Sequence, residues 1–142
     1  MQWAPGKNLG FSAAAAEDLY LPVDPSPDAP TVAEEENDPA SMLYLFRRVL
    51  AFRKKHEELH ADGLITPVFA EKGKYPFIFR RGHFLICVNP TLTPCKAEVY
   101  AGSKGTLALL VEGAPGDAMP EVSFTDGKIT LGPQVLAVFE EK

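Results

Sequence analysis

Basic residues are in short supply in this chain. Fourteen Lys and Arg stand against 19 Asp and Glu, a formal net charge of −5. A nucleic-acid partner needs a basic face to neutralise phosphate, so that class is excluded. Long apolar runs are missing too, and no stretch reaches the roughly 18 residues of a membrane span. The N-terminus has no basic region followed by an apolar run, so no signal peptide is expected and the chain reads as cytoplasmic. Two cysteines, Cys87 and Cys95, are too few for a disulfide framework. Cys87 lies inside the apolar run Phe84–Val88 and reads as a buried free thiol. If residues 89–95 form a hairpin connection, Cys87 faces a residue near Ala97, and a bridge to Cys95 does not form. No Gly-rich loop follows a strand to cradle phosphate, and no Ser is paired recognisably with His and Asp.

What is present falls into three parts. Residues 1–38 show little periodicity. Five prolines fall between Pro22 and Pro39, and Glu34-Glu35-Glu36-Asn37-Asp38 is nearly all acidic, which predicts an extended, solvent-facing arm. Ala13 to Ala16 have the composition for one helical turn. Asp38 then reads as an N-cap and Pro39 as the first residue of a helix. Met42, Leu43, Leu45, Phe46, Val49, Leu50 and Phe52 cover an arc of roughly 180° at about 100° per residue. That arc is too wide for one partner and predicts a helix wedged between two bodies. Arg53 falls near its middle, where it would need a buried partner. Ala61-Asp62-Gly63 ends the helix.

From Gly63 onward the apolar period changes from 3.6 to 2. Strands are predicted over Ile65–Glu71, Tyr75–Arg80, His83–Val88, Cys95–Tyr100, Thr106–Glu112, Val122–Phe124, Lys128–Leu131 and Gln134–Glu140. Asp126-Gly127 is a favoured two-residue hairpin turn. Short strands at this spacing predict an antiparallel β-sandwich.

Three groups of residues invite a chemical reading. His56-Glu57-Glu58-Leu59-His60 matches H-E-x-x-H, which on one helix face would bind zinc with Glu57 as base. The third ligand is missing, however, and His83 stands alone at a strand start. The simpler reading is a polar helix end. Retaining glycosidases need two carboxylates about 5–5.5 Å apart, but Glu34, Glu35, Glu36 and Asp38 sit on the Pro-rich arm and read as a solvated linker. Trp3, Phe11, Tyr20, Tyr75 and Tyr100 have faces that stack on sugar rings, and equally serve as core or rim packing.

Two segments carry a family resemblance. Met1-Gln2-Trp3 with Asn8-Leu9-Gly10-Phe11-Ser12 resembles the Met-Gln-Trp … Asn-x-Gly-Phe-Ser segment of α-glucosidases, oligo-1,6-glucosidases and trehalose synthases of the α-amylase superfamily. Asp38-Pro39-Ala40-Ser41-Met42-Leu43 with Arg47-Arg48-Val49-Leu50-Ala51-Phe52-Arg53-Lys54 resembles the last helix of their (β/α)8 barrel, and His56-Glu57-Glu58-Leu59 stands where they have His-Pro-Glu-Leu. Phe77–Arg81 and Leu85–Pro90 look like strands of their β-sandwich, domain C. Ala4, Leu9 and Thr31–Glu35 depart from the family pattern, the last where Asn-Val-Glu-x-Gln is common. In that family the nucleophile aspartate, the acid/base glutamate and the third aspartate all precede the segment equivalent to Met1.

The resemblance therefore implies a non-catalytic C-terminal structural domain of an α-glucosidase-like glycoside hydrolase. The expected organisation is an irregular arm over 1–38, a helix over 39–62 equivalent to the last barrel helix, and an antiparallel β-sandwich over 63–142. No catalytic, cofactor-binding or metal-binding residue is assigned, and no cofactor is expected. The implied partner is the parent's catalytic barrel or a second copy of the chain. With that wide apolar arc, the chain either dimerises through the helix or folds residues 1–37 over it, with Trp3, Phe11 and Leu21 as cover. The alternative function is a stand-alone carbohydrate-binding or protein-interaction module.

Overall fold

The computed structural model describes residues 1–112 and 120–142. They form two compact units, Met1–Ala51 and Phe52–Lys142.

In the first unit the arm is more ordered than its composition predicts. Its 3-10 turns cover Lys7–Gly10 and Ala16–Asp18, not Ala13–Ala16. Trp3 N–H donates to the Leu9 carbonyl at 2.8 Å. A one-turn helix, α1, spans Val32–Glu35 inside the acidic run. Thr31 and Glu34 form a capping box: Glu34 N–H donates to Thr31 Oγ1, and Glu34 Oε2 accepts from Thr31 N–H at 3.1 Å. The carbonyls of Gln2 and Trp3 accept from Val32 and Ala33 N–H, binding the start of the chain to this turn.

The long helix, α2, spans Met42–Lys55 and is shorter than the expected 39–62. Asp38 and Pro39 do not start it. Asp38 closes a preceding turn, its Oδ1 accepting from Ala40 N–H at 2.8 Å and its carbonyl from Ser41 N–H. Ser41 takes the capping position, accepting at Oγ from Tyr44 N–H at 3.3 Å and donating to the Glu35 carbonyl at 2.8 Å. At the other end a 3-10 turn, Glu57–Leu59, follows without continuing the α-helix.

Among the described residues the second unit carries eight strands, each within a few residues of its expected place. They are β1 Thr66–Phe69, β2 Phe77–Arg81, β3 Phe84–Asn89, β4 Cys95–Glu98, β5 Gly105–Glu112, β6 Val122–Thr125, β7 Lys128–Leu131 and β8 Val135–Glu141. Every pairing is antiparallel, with a five-stranded sheet β1-β2-β3-β8-β5 and a three-stranded sheet β4-β7-β6. Asp126 and Gly127 both have positive φ, as a mirror-image two-residue turn between β6 and β7 requires. The core lies between the sheets: Ile78, Leu85, Cys87, Val135, Ala137 and Phe139 from one, Ala97, Phe124, Ile129 and Leu131 from the other. The fold is a β-sandwich.

The segment between β3 and β4 is not a hairpin. β3 pairs with β2 and β8, while β4 crosses to the other sheet and pairs with β7. Cys87 therefore stands beside Ile78 and Ala137 in its own sheet, and Ala97 lies in the core but not opposite it. Both thiols are free.

Candidate functional site

The residues singled out for chemistry are mostly bound into structural roles. The α-helix ends at Lys55, so His56 and His60 flank the 3-10 turn rather than sharing a helix face. His56 packs against Phe52 and edge-on to Phe84, with both ring centroids 4.6 Å away. His60 Nε2 lies 3.3 Å from the Lys54 carbonyl. The third histidine, His83, sets Nδ1 2.7 Å from Glu58 and Nε2 3.6 Å from Glu140. The Glu58 carboxyl is held below its ordinary value, first by a hydrogen bond from its own backbone amide, with burial opposing it and His83 adding to it. Among the described residues no group of three His, Cys, Asp or Glu is placed to hold a metal ion.

Three of the four arm carboxylates singled out above are likewise engaged. Glu34 completes the capping box, Glu36 pairs with Arg47 at 2.9 Å, and Asp38 accepts from Ala40 N–H. The aromatic residues do not build one platform. Tyr75 lines a shallow depression in the β1–β2 loop with Glu71, Lys72 and Lys74, whereas Tyr100 lies under the Arg80 guanidinium, 4.9 Å from ring centroid to Cζ. Burial pushes the Cys87 thiol far up, and partial burial raises Cys95. Neither is an activated nucleophile.

The feature that remains is the surface of α2. Its apolar arc divides in two. Leu45, Val49 and Phe52 are half-buried. Met42, Phe46 and Leu50, one turn apart on the neighbouring stripe, are 64%, 62% and 40% exposed. Arg53 lies on this open side, exposed, and donates from Nε to the Leu59 carbonyl at 3.0 Å. It needs no buried partner, contrary to the sequence expectation. Trp3, Phe11 and Leu21, the expected cover, are themselves exposed. The helix carries Arg47, Arg48, Arg53, Lys54 and Lys55 and no acidic residue. Among the described residues no helix is long and apolar enough to cross a membrane.

Sequence reasoning missed two structural assemblies. The Thr31-x-x-Glu34 spacing is a capping-box signal and was readable. The bidentate pair of Arg80 with Glu141 joins residues 61 apart, and no local pattern marks it.

Comparison with known proteins gives the context for this arrangement. No family model matches the chain. It is 36% identical over 85 residues to a probable α-glucosidase of Rhizobium meliloti, covering 60% of this chain and 13% of the relative. It is 36% identical over 59 residues to a probable oligo-1,6-glucosidase of Bacillus subtilis, covering 42% and 10%. A trehalose synthase/amylase of Mycobacterium tuberculosis is 38% identical over 60 residues, covering 39% and 10%. The homologues of this chain are α-amylase-superfamily enzymes. The chain spans only about an eighth of the length of the relatives it matches. In fold it is similar to part of the trehalulose synthase of Pseudomonas mesoacidophila, with a TM-score of 0.75 and 19% identity over 99% of this chain and 24% of the enzyme. An isomaltulose synthase mutant from Erwinia rhapontici gives a TM-score of 0.75 at 16% identity with the same coverage. Nearly the whole chain thus shares its fold with about a quarter of each of these larger enzymes.

Proposed function

We propose that this chain is the non-catalytic C-terminal structural domain of an α-glucosidase-like glycoside hydrolase that acts on α-glucosides. The reading rests on one observation: 99% of the chain superposes on 24% of sugar-processing enzymes of this superfamily. In this reading α2 is the counterpart of the last barrel helix, and the eight-stranded unit is domain C. The reacting carboxylates belong to a (β/α)8 barrel, which at about 250 residues is larger than this whole sequence. Glu34, Glu36 and Asp38 of the arm already serve a cap, an ion pair and a turn, which supports a structural role for it. The chain's contribution is to cover the barrel's end and hold its last helix in place.

The test is a hydrolysis assay. The purified chain with maltose, isomaltose or p-nitrophenyl α-glucoside is expected to give no turnover above buffer. Turnover that disappears when one acidic residue of this chain is replaced would overturn the reading.

A further inference from the structure

We propose that the depression in the β1–β2 loop is a non-catalytic saccharide site, which takes one neutral glucose ring of an α-glucoside against Tyr75 and Phe77. The depression belongs wholly to the second unit. Its volume of about 370 Å³ falls within the roughly 300–1,000 Å³ of small-ligand sites.

Its floor is aromatic. Pro76 and Ile78 are buried, while Tyr75 and Phe77, on either side of Pro76, are 47% and 41% exposed and line the same depression. Phe79 steadies the Phe77 ring, with 5.3 Å between centroids and 32° between planes. A pyranose ring presents one face of C–H groups. That face covers aromatic rings of this kind while the hydroxyls around its edge stay free to bond.

Its rim is polar and of both signs. Lys74 N–H donates to the Glu71 carbonyl at 3.1 Å, closing a turn with Lys72 and Gly73 at its corner. Gly73 has φ +76, the left-handed conformation that such a corner favours. The rim is therefore formed before any ligand arrives. The Lys74 ammonium pairs with Glu71 Oε2, which leaves Glu71 Oε1 as an acceptor. Lys72 is exposed and, among the described residues, takes part in no hydrogen bond or ion pair, so its ammonium is an available donor. Donor and acceptor beside an aromatic floor suit hydroxyl groups. With Glu71 beside the lysines, the rim lacks the unopposed positive charge that selects an anion.

The site is also clear of the turn after α2. That turn is held at the other end of β2, where Arg81 donates to the Leu59 and Gly63 carbonyls. Four residues of strand separate Phe77 from Arg81 by roughly 14 Å. The choice of an α-glucoside rests on the proposed function, whereas the aromatic floor and mixed rim do not.

Titration of the ¹⁵N-labelled full chain with maltose to about 50 mM is expected to shift the amide resonances of residues 71–77 along a saturable curve, with a Kd of about 1–10 mM. Tyr75→Ala removes an exposed ring, leaves the urea midpoint unchanged and weakens binding by about tenfold. Lys72→Ala weakens it by about two- to fivefold. Sorbitol, which has hydroxyls and no ring, and inorganic phosphate are each expected to give no saturable shift. No saturable shift with maltose, or binding indifferent to Tyr75→Ala, would overturn the site. Equal binding of sorbitol would overturn the stacking, and saturable binding of phosphate would overturn the choice of a neutral ligand. Loss of the site leaves the structural-domain reading standing, and turnover of maltose overturns that reading whether or not residues 71–77 shift.

Discussion

Asn89 at the end of β3 donates from Nδ2 to the carbonyl of Gly132, just past β7, at 2.7 Å. The same amide donates to the Thr93 carbonyl at 2.9 Å, and its Oδ1 accepts from the Thr91 amide and hydroxyl at 3.1 and 2.8 Å. Asn89 is fully buried, so this one side chain satisfies the backbone of the crossover that carries the chain from one sheet to the other.

Asn89→Leu keeps the approximate size and removes every one of these bonds. The buried Gly132 carbonyl, the Thr93 carbonyl and the Thr91 amide then lose this partner, the last two in part-buried positions. The expected loss is about 2–4 kcal/mol in urea unfolding. A loss under about 0.5 kcal/mol would show that the crossover stands without Asn89.

Arg80 and Glu141 make a two-pronged pair, Nε to Oε2 at 2.6 Å and Nη2 to Oε1 at 2.8 Å, across the strand that separates β2 from β8. The side chains are 32% and 17% exposed, so removing one leaves the other largely desolvated. Arg80→Leu is expected to cost about 1–3 kcal/mol, with Glu141→Gln costing less. A double-mutant cycle should give a coupling near 1 kcal/mol. Strict additivity would show that the pair contributes nothing as a pair.

Glu58 carries a prediction about pH. Its carboxyl lies below the ordinary value of 4.5 because its backbone amide, and after it His83, favours the charged form. A depressed carboxyl contributes stability that is fully present above that value and is lost as pH falls through the lower, folded value. Glu58→Gln should therefore flatten the dependence of the urea midpoint on pH between about pH 5 and pH 3, and alter it least at the acid end. The neighbouring Gly82 has φ +57, and a Cβ there would run into the Glu58 side chain. Gly82→Ala is thus expected to disturb the same junction.

Thiol labelling separates the two cysteines. Cys87 is buried and held as a neutral thiol, while Cys95 is half-buried at the start of β4. A disulfide-exchange reagent at pH 8 is expected to label Cys95 slowly and Cys87 only after unfolding. Simultaneous fast labelling of both in the native chain would mean that the core opens around β3.

Much of the secondary structure was legible because it depends on local rules. Alternating apolar residues mark β3 and β8, and Asp126-Gly127 marks a turn that requires two positive φ values. The helix start was misplaced because Asp38, Pro39 and Ser41 all carry start signals. The choice among them turned on Ser41 Oγ reaching the Glu35 carbonyl, a contact made by the arm's own fold. The acidic run was misread as unstructured because its charge masked the Thr31-Glu34 box.

By itself the sequence determined the kind of each element, since helix and strand periods are properties of adjacent residues. It also held enough of two family motifs to point to the α-amylase superfamily. Only the tertiary structure decided which strands are neighbours: β3 lies beside β8, nearly fifty residues later, because burying both sheets' apolar faces outweighs the convenience of pairing with β4. It decided too that Phe52 packs edge-on against Phe84, while Met42, Phe46 and Leu50 stay exposed. A hydrophobic pattern states how much surface a helix needs to bury, and only the packed neighbours settle which part of it is buried within the chain.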